Sequence, residues 1–285
     1  MDKKKQVEPG TLYITATPIG NLEDITLRAL RILQEVDLIA AEDTRHSRKL
    51  LTHFEITTPL ISYYREKERE RSKQLVARLL AGESIALVSD AGTPGISDPG
   101  AILVQRAREA GITITPLPGA SALSAALSVS GITDPHFLFL GFAPSKKSQR
   151  RSLLTSLKDS SHPIIFYESP RRIHGLLNDI FKILGNRSAF WARELTKRHE
   201  DLQSGSISEL LELADGPKNR GEFVLIVHPG ETVQTEGDNV QELLVWYRDN
   251  TSMSLKDVSK KLATDLGLSR SAVYQEALVV YQRKS

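Results

Sequence analysis

The sequence predicts an α/β protein: two successive domains of alternating strands and helices, then an all-helical C-terminal domain with a helix-turn-helix-like turn. Three observations carry this reading. Short apolar runs of strand character alternate with helical stretches from Thr11 to Val227. Several of those runs end in turns rich in Gly, Pro and charged residues, where open α/β sheets hold ligands. After Pro229 the strand-like runs cease, and a polar segment leads into purely helical spacing.

Composition narrows the class. A chain of 285 residues has room for more than one domain. With 40% hydrophobic and 25% charged residues it is expected to fold rather than stay disordered. The net charge is only +2, so any nucleic-acid contact must rest on local clusters. The chain has no cysteine, which excludes disulfides, thiolate zinc sites and thiol nucleophiles and suits a cytoplasmic protein. Lys3-Lys4-Lys5 is followed by no apolar core of a signal peptide, and no apolar run approaches the ~18 residues of a membrane span. The seven His are scattered without metal-site spacing, so no metal is expected.

Residues 1–10 read as a flexible tail, and 11–143 as the first domain. Thr11 to Thr17 is a strand ending in the turn Pro18-Ile19-Gly20-Asn21, which lacks the G-x-G-x-x-G of a dinucleotide site. Ile25 to Leu33 is helical, with Thr26 as its cap. Asp37 to Ala41 is a second strand, ending in Glu42-Asp43-Thr44-Arg45. Thr58 to Ser62 is a short third strand, and Arg65 to Leu80 a helix whose mixed charges mark a solvated face. Ile85 to Val88 is a buried strand opening the loop Ser89 to Gly100, which holds three Gly and two Pro. Gly lets backbone approach a ligand, and Pro stiffens the turn. Asp98 is the expected N-cap of the next helix, Ala101 to Ala110, with Pro99 at its first position. Thr113 to Thr115 is a strand, Pro118-Gly119-Ala120 opens a small-residue helix from Ser121 to Ser130, and Phe137 to Phe142 closes the domain.

Ala143 to Arg151 is polar, basic and proline-marked, which suits either a boundary between domains or an RNA-facing loop. In a second domain, 144–229, Pro163 to Tyr167 is a strand that leads into Glu168-Ser169-Pro170-Arg171-Arg172. Ile173 to Leu184 is a helix stopped by Gly185-Asn186, and Ser188 to Ala192 a strand leading into Arg193-Glu194-Leu195-Thr196-Lys197. Ile207 to Leu213 is a short helix and Gly221 to Val227 the last strand. Both sheets are expected to be parallel. In the C-terminal domain, 230–285, the spacing Ala263, Gly267, Val273 fits a helix-turn-helix whose second helix starts at Ser269. Arg270, Ser271 and Tyr274 then lie near its exposed N-terminal face.

Taken in order, Thr17-Pro18-Ile19-Gly20-Asn21, Glu42-Asp43-Thr44-Arg45, Ser89-Asp90-Ala91-Gly92-Thr93-Pro94, Pro118-Gly119-Ala120-Ser121-Ala122, Tyr167-Glu168-Ser169-Pro170 and Arg193-Glu194-Leu195-Thr196-Lys197 resemble the tetrapyrrole methylase superfamily. Within it the chain is most similar to the branch that methylates small-subunit ribosomal RNA. The resemblance spans roughly residues 11–228, and the C-terminal helices are similar to that branch's appended domain. It implies a two-domain tetrapyrrole-methylase-like fold, a homodimer, and S-adenosylmethionine in the cleft between the domains. The implied acceptor is a cytidine 2′-hydroxyl of 16S ribosomal RNA. Carried over by motif, the donor pocket is Pro18, Ile19, Asp90, Ala91, Gly92, Thr93, Pro94, Gly95, Ile96, Ser121 and Ala122. The second domain adds Phe166, Tyr167, Leu195, Glu222, Phe223 and Val224.

A sulfonium donor needs no metal to move its methyl group, so the enzyme must align the reacting atoms and help remove a ribose proton. Asp98, Glu42, Asp43 and Glu200, all at strand ends, are the candidate bases. Arg45, Arg193 and Lys197 are read as phosphate or ribose contacts. Two other readings stay open: methylation of a corrin or another tetrapyrrole, and a ligand-sensing regulator that binds nucleic acid through its C-terminal helices.

Overall fold

A computed structural model describes residues 7–215, 221–230, 240–266 and 268–282. The chain divides into two compact units, Met1–Gly230 and Glu231–Ser285. The larger contains two five-stranded sheets.

The first sheet is built from β1 (Thr11–Thr15), β2 (Leu38–Ala41), β3 (Leu60–Ser62), β4 (Ile85–Val88) and β5 (Thr113–Leu117), in the order β3-β2-β4-β1-β5. Every pairing is parallel. β2 and β4 are buried along their whole length, which is why they read as unbroken apolar runs. One face packs Tyr13, Ile39, Ala86 and Val88 against α1 (Leu27–Glu35). The other packs Leu12, Leu38, Ile85 and Leu87 against α3 (Glu68–Leu80) and α4 (Ala101–Glu109). Thr26 caps α1 as expected, its hydroxyl accepting from the Ala29 N–H. Because β4 inserts between β2 and β1, the loops leaving all three strands emerge side by side.

Residues 44–53, unassigned from sequence, form α2 (Thr44–His53), a polar helix that buries only Ser47 and Leu51. After β5, α5 (Ala122–Val129) leaves the first sheet and packs its small residues against the second.

The second sheet corrects the sequence reading. It comprises β6 (Leu138–Phe142), β7 (Ile164–Glu168), β8 (Ser188–Arg193), β9 (Asp201–Ser206) and β10 (Phe223–Val227), ordered β6-β7-β10-β8-β9. Only β6 and β7 run parallel; the other three pairings are antiparallel. β8 turns directly back into β9 without a crossover helix, and β10 returns between β7 and β8. β9, an edge strand of alternating exposure and mostly polar sequence, carried no apolar signal. One face of this sheet packs Phe166, Trp191 and Leu225 against α6 (Lys147–Ser156), α7 (Ile173–Leu184) and α8 (Ile207–Ala214).

α6 takes up part of the run at 143–151 that the sequence read as a domain boundary or an RNA-facing loop. Arg150 is buried in it, 2.6 Å from Asp179 of α7, and Arg151 meets the same carboxylate at 2.8 Å. Two of the four basic side chains in that run therefore hold a helix pair together, while Lys146 and Lys147 stay exposed.

The smaller unit packs α9 (Val240–Asn250), α10 (Leu255–Asp265) and α11 (Arg270–Gln282) around Leu244, Val258, Leu262, Val273 and Ala277. Ser269 accepts the Val273 N–H at 3.1 Å, so it stands at the start of α11 as read from sequence. Ala263 and Val273 are both in this core, and Gly267 lies outside the described residues. No helix among the described residues is long and apolar enough to cross a membrane.

Candidate functional site

The loop after β4 is fastened on three sides. Thr17 and Gly92 exchange both backbone hydrogen bonds at 2.9 Å, joining the turn after β1 to this loop. The Thr17 hydroxyl donates to the Ser89 carbonyl at 3.1 Å, and the Thr93 hydroxyl to the Ala120 carbonyl at 3.1 Å, just before α5. Asp90 accepts the Asp43 N–H at 3.0 Å, tying in the turn after β2. Gly92 adopts φ +77°, and a Cβ there would stand 3.3 Å from Ile19 Cγ2, so the turn needs a residue without a side chain.

The sequence assigned Asp98 to cap α4; the structure corrects this. Gly100 is the N-cap residue, and the helix cap comes from α3. The buried Glu68 carboxylate accepts from the Gly100 N–H at 2.8 Å and the Ile102 N–H at 3.4 Å, while Tyr63 donates to the same oxygen at 3.0 Å. Asp98 is thereby left to face a cleft of about 250 Å³.

Among the carboxylates that line that cleft, Glu42, Asp90 and Asp98 come from the first sheet's loops, and Glu168, Glu194 and Glu222 from the second sheet. Burial, reinforced by the like charges of Asp98 and Asp90, pushes the Glu42 carboxyl up to about 7. Burial raises Asp98 as well, with a Ser89 hydrogen bond opposing and the Asp90 charge assisting. Arg65 offsets this from the rim, its guanidinium donating to the Ser97 carbonyl at 2.9 Å. The buried Ser97 Oγ has no partner in the protein.

The second sheet supplies the facing wall. The Tyr167 hydroxyl accepts the Leu123 N–H at 3.0 Å, fastening β7 to the start of α5. Phe139 and Phe142 meet the Tyr167 ring edge-on, and Phe142 and Ile96 present exposed apolar surface. Leu195 and Lys197 come from the turn after β8, where Glu194 and Thr196 hold φ +53° and +64°. That conformation is unusual for residues with side chains and strained for a β-branched one. It is held by the Glu194 N–H to the Glu222 carbonyl (3.1 Å) and the Thr196 N–H to the Glu200 carboxylate (2.7 Å).

Of the donor-pocket residues named from sequence, Ile19, Asp90 to Thr93, Ile96, Ser121, Ala122, Tyr167, Leu195 and Glu222 to Val224 line this one cleft. Pro18, Pro94 and Gly95 shape its loops without lining it. Phe166 does not line it: on a strand its side chain points opposite to Tyr167, and it is buried in the core beneath. Among the candidate bases, Glu42 and Asp98 line the cleft. Asp43 caps α2 and pairs with Arg45 at 2.8 Å, which holds its carboxyl far below the usual range. Glu200 holds the Thr196 turn. Among the candidate phosphate contacts, Lys197 lines the cleft, 2.7 Å from Glu194. Arg45 frames a shallow surface with Arg48, Lys49 and Thr52, and Arg193 pairs with Asp201 at 3.0 Å. Glu68, Ser97 and Phe142 were missed. Phe142, the last residue of an apolar strand, was the one with a readable signal.

The profile of the tetrapyrrole (corrin/porphyrin) methylases matches residues 11–211. The chain is 43% identical over 278 residues to ribosomal RNA small subunit methyltransferase I of Halalkalibacterium halodurans, covering 94% of each chain. It is 46% identical over 274 residues to the protein of that name from Xylella fastidiosa, covering 93% of this chain and 98% of that one. Among solved structures it resembles uroporphyrin-III-C-methyltransferase of Thermus thermophilus, with TM-score 0.55, 19% identity and coverage of 77% and 94%. It also resembles diphthine synthase, with TM-score 0.60, 13% identity and coverage of 77% and 90%. At such identities the solved structures speak for the fold alone.

Proposed function

This chain belongs to the tetrapyrrole (corrin/porphyrin) methylase family, and from that premise we propose that it transfers a methyl group from S-adenosylmethionine to the ribose 2′-hydroxyl of a cytidine in 16S ribosomal RNA. The names of its relatives support ribosomal RNA of the small subunit as the substrate. The observation that carries the reading is the convergence of Glu42, Asp90 and Asp98 on one cleft beside a fastened glycine loop.

The cleft fits the cofactor on its own evidence. Its carboxylates complement a cation, Ile96, Phe142 and Leu195 offer apolar faces, and the partnerless Ser97 Oγ suits a polar ligand atom. S-Adenosylmethionine supplies an already activated methyl group, carried on a sulfonium. Asp90 and Asp98 would bind its positive charge, with Tyr167 and Leu195 closing the wall. The fastened loop keeps these groups in place before binding, so little reorganisation opposes alignment of the acceptor. Glu42, titrating near 7, is matched to accept the proton of a weakly acidic hydroxyl at neutral pH. Lys197 and Arg65, at the rim, suit the phosphates that flank the target sugar. The helical unit is assigned to holding RNA, and the protein to a cytoplasmic homodimer.

The test compares 16S ribosomal RNA from cells with and without this protein by mass spectrometry and alkaline cleavage. A cytidine that loses one methyl group and becomes alkali-sensitive is the expected result. Loss of a base methyl group, or no change, refutes the proposal.

A further inference from the structure

We propose that Asp134, His136 and His162 form a binding site for a divalent metal of the zinc class, at the edge of the second sheet and apart from the cleft. Asp134 and His136 are two residues apart and His162 lies twenty-six residues beyond His136, and the topology joins them. Asp134 and His136 sit in the connection from α5 to β6, and His162 sits two residues before β7. The Leu138 N–H donates to the Pro163 carbonyl at 2.8 Å, and Leu138 pairs with Ile164, so both segments are held side by side.

The two imidazoles turn their Nδ1 atoms toward one carboxylate: His136 Nδ1 is 3.1 Å from one Asp134 oxygen, and His162 Nδ1 is 3.4 Å from the other. The His136 N–H, donating at 2.9 Å, fixes the orientation of that carboxylate. The ring centroids are 5.3 Å apart, and one ligand atom from each residue falls within a 4.8 Å span. Bond lengths of about 2.0–2.2 Å in a tetrahedral site separate neighbouring ligand atoms by roughly 3.3 Å. Each imidazole already stands near that edge length from one of the two Asp134 oxygens, and the 4.8 Å span must contract on binding, for which the exposed His136 ring is free to turn. Two imidazoles and one carboxylate are a ligand set for zinc, cobalt or nickel rather than magnesium or calcium, and they leave a fourth position for water.

The cleft-lining residues Tyr167 and Glu168 lie at the far end of β7, about 13 Å from its start at the usual rise per residue. A metal here would clip the α5–β6 connection to the start of β7. Its role is stability, and the proposal does not depend on the reaction assigned above.

The test uses tag-free full-length protein stripped with chelator, titrated with Zn²⁺ by calorimetry and with Co²⁺ by visible absorption. One site per chain is expected, with Zn²⁺ raising the melting temperature. H136A and H162A should each weaken binding at least tenfold, and the double variant should lose both the site and the thermal shift. His136 is 72% and His162 42% exposed, so neither substitution threatens the core. Absence of stoichiometric binding overturns the proposal. So does undiminished binding in the double variant, which retains the other five His. S-Adenosylmethionine affinity in the double variant should equal wild type, and its loss would overturn the separation from the cleft.

Discussion

Replacing Gly20 by Ala tests whether the strained turn after β8 is part of the donor pocket. A Cβ at Gly20 would lie 2.5 Å from Lys197 Cγ, 2.7 Å from the Leu195 carbonyl oxygen and 2.8 Å from Thr196 Oγ1. Lys197 can swing aside, but the Leu195 carbonyl is backbone, flanked by two residues already at positive φ. An ordinary carbon–oxygen contact begins near 3.4 Å, so the turn must retreat by about 0.7 Å, the scale of shift that overpacked sites show. Overpacking of this kind typically costs about 1–3 kcal/mol. If half is relieved in the displaced, ligand-free state, binding loses about 0.5–1.5 kcal/mol, roughly two- to twelvefold, since 1.4 kcal/mol is a factor of ten. Titration calorimetry with S-adenosylmethionine should show that loss, beside a melting temperature lowered by a few degrees. K197A alone should not reproduce it. A folded G20A protein that binds within twofold of wild type would refute the reasoning and remove the turn from the pocket.

Other predictions follow from the same geometry. Glu42 has a folded-state pKa of about 7, above its ordinary 4.5, so its stabilising contribution is complete below about 4.5 and lost as pH rises through about 7. E42Q should therefore melt progressively higher relative to wild type between pH 4.5 and 7.5, and should lose the rise of methylation rate near pH 7. A constant difference in melting temperature would mean that Glu42 does not titrate there. E68A should cost about 1–3 kcal/mol in denaturant unfolding, because it removes a buried cap with three donors, whereas D98N should leave stability within about 0.5 kcal/mol and lower activity. The reverse order would restore the cap to Asp98. Truncation after Gly230 should preserve S-adenosylmethionine affinity within threefold and lower methylation of small subunits at least tenfold; equal loss in both assays would deny the helical unit an RNA role.

Much of the fold was legible because its signals are local. The Ile85–Val88 strand is a continuous apolar run between polar flanks, and it was read to the residue. Thr26 and the Gly185 stop follow from side-chain and backbone preferences that act within one turn. What stayed hidden depends on partners distant in sequence. Asp98-Pro99 carries the local signature of a helix start, but a carboxylate thirty-two residues before Gly100 occupies those N–H groups instead. The basic run at 146–151 looked like one feature until Asp179 divided it. Strand direction in the second sheet is set by which connections cross over, and β9 is defined by its neighbour rather than by its own residues. The cleft was legible loop by loop, while the closeness of Asp98 to Glu42, which helps burial raise the Glu42 carboxyl, appears only when strands β2 and β4 lie together.

The division between Glu68 and Asp98 has a consequence for how such a chain can change over time. Scaffolding duty falls to a carboxylate on a helix, which leaves the carboxylates of the loop after β4 free to face the cleft. Variation at the cleft-facing positions of the loop then requires no compensating anchor for the helix, whereas variation at residue 68 is filtered by folding before chemistry is ever tested.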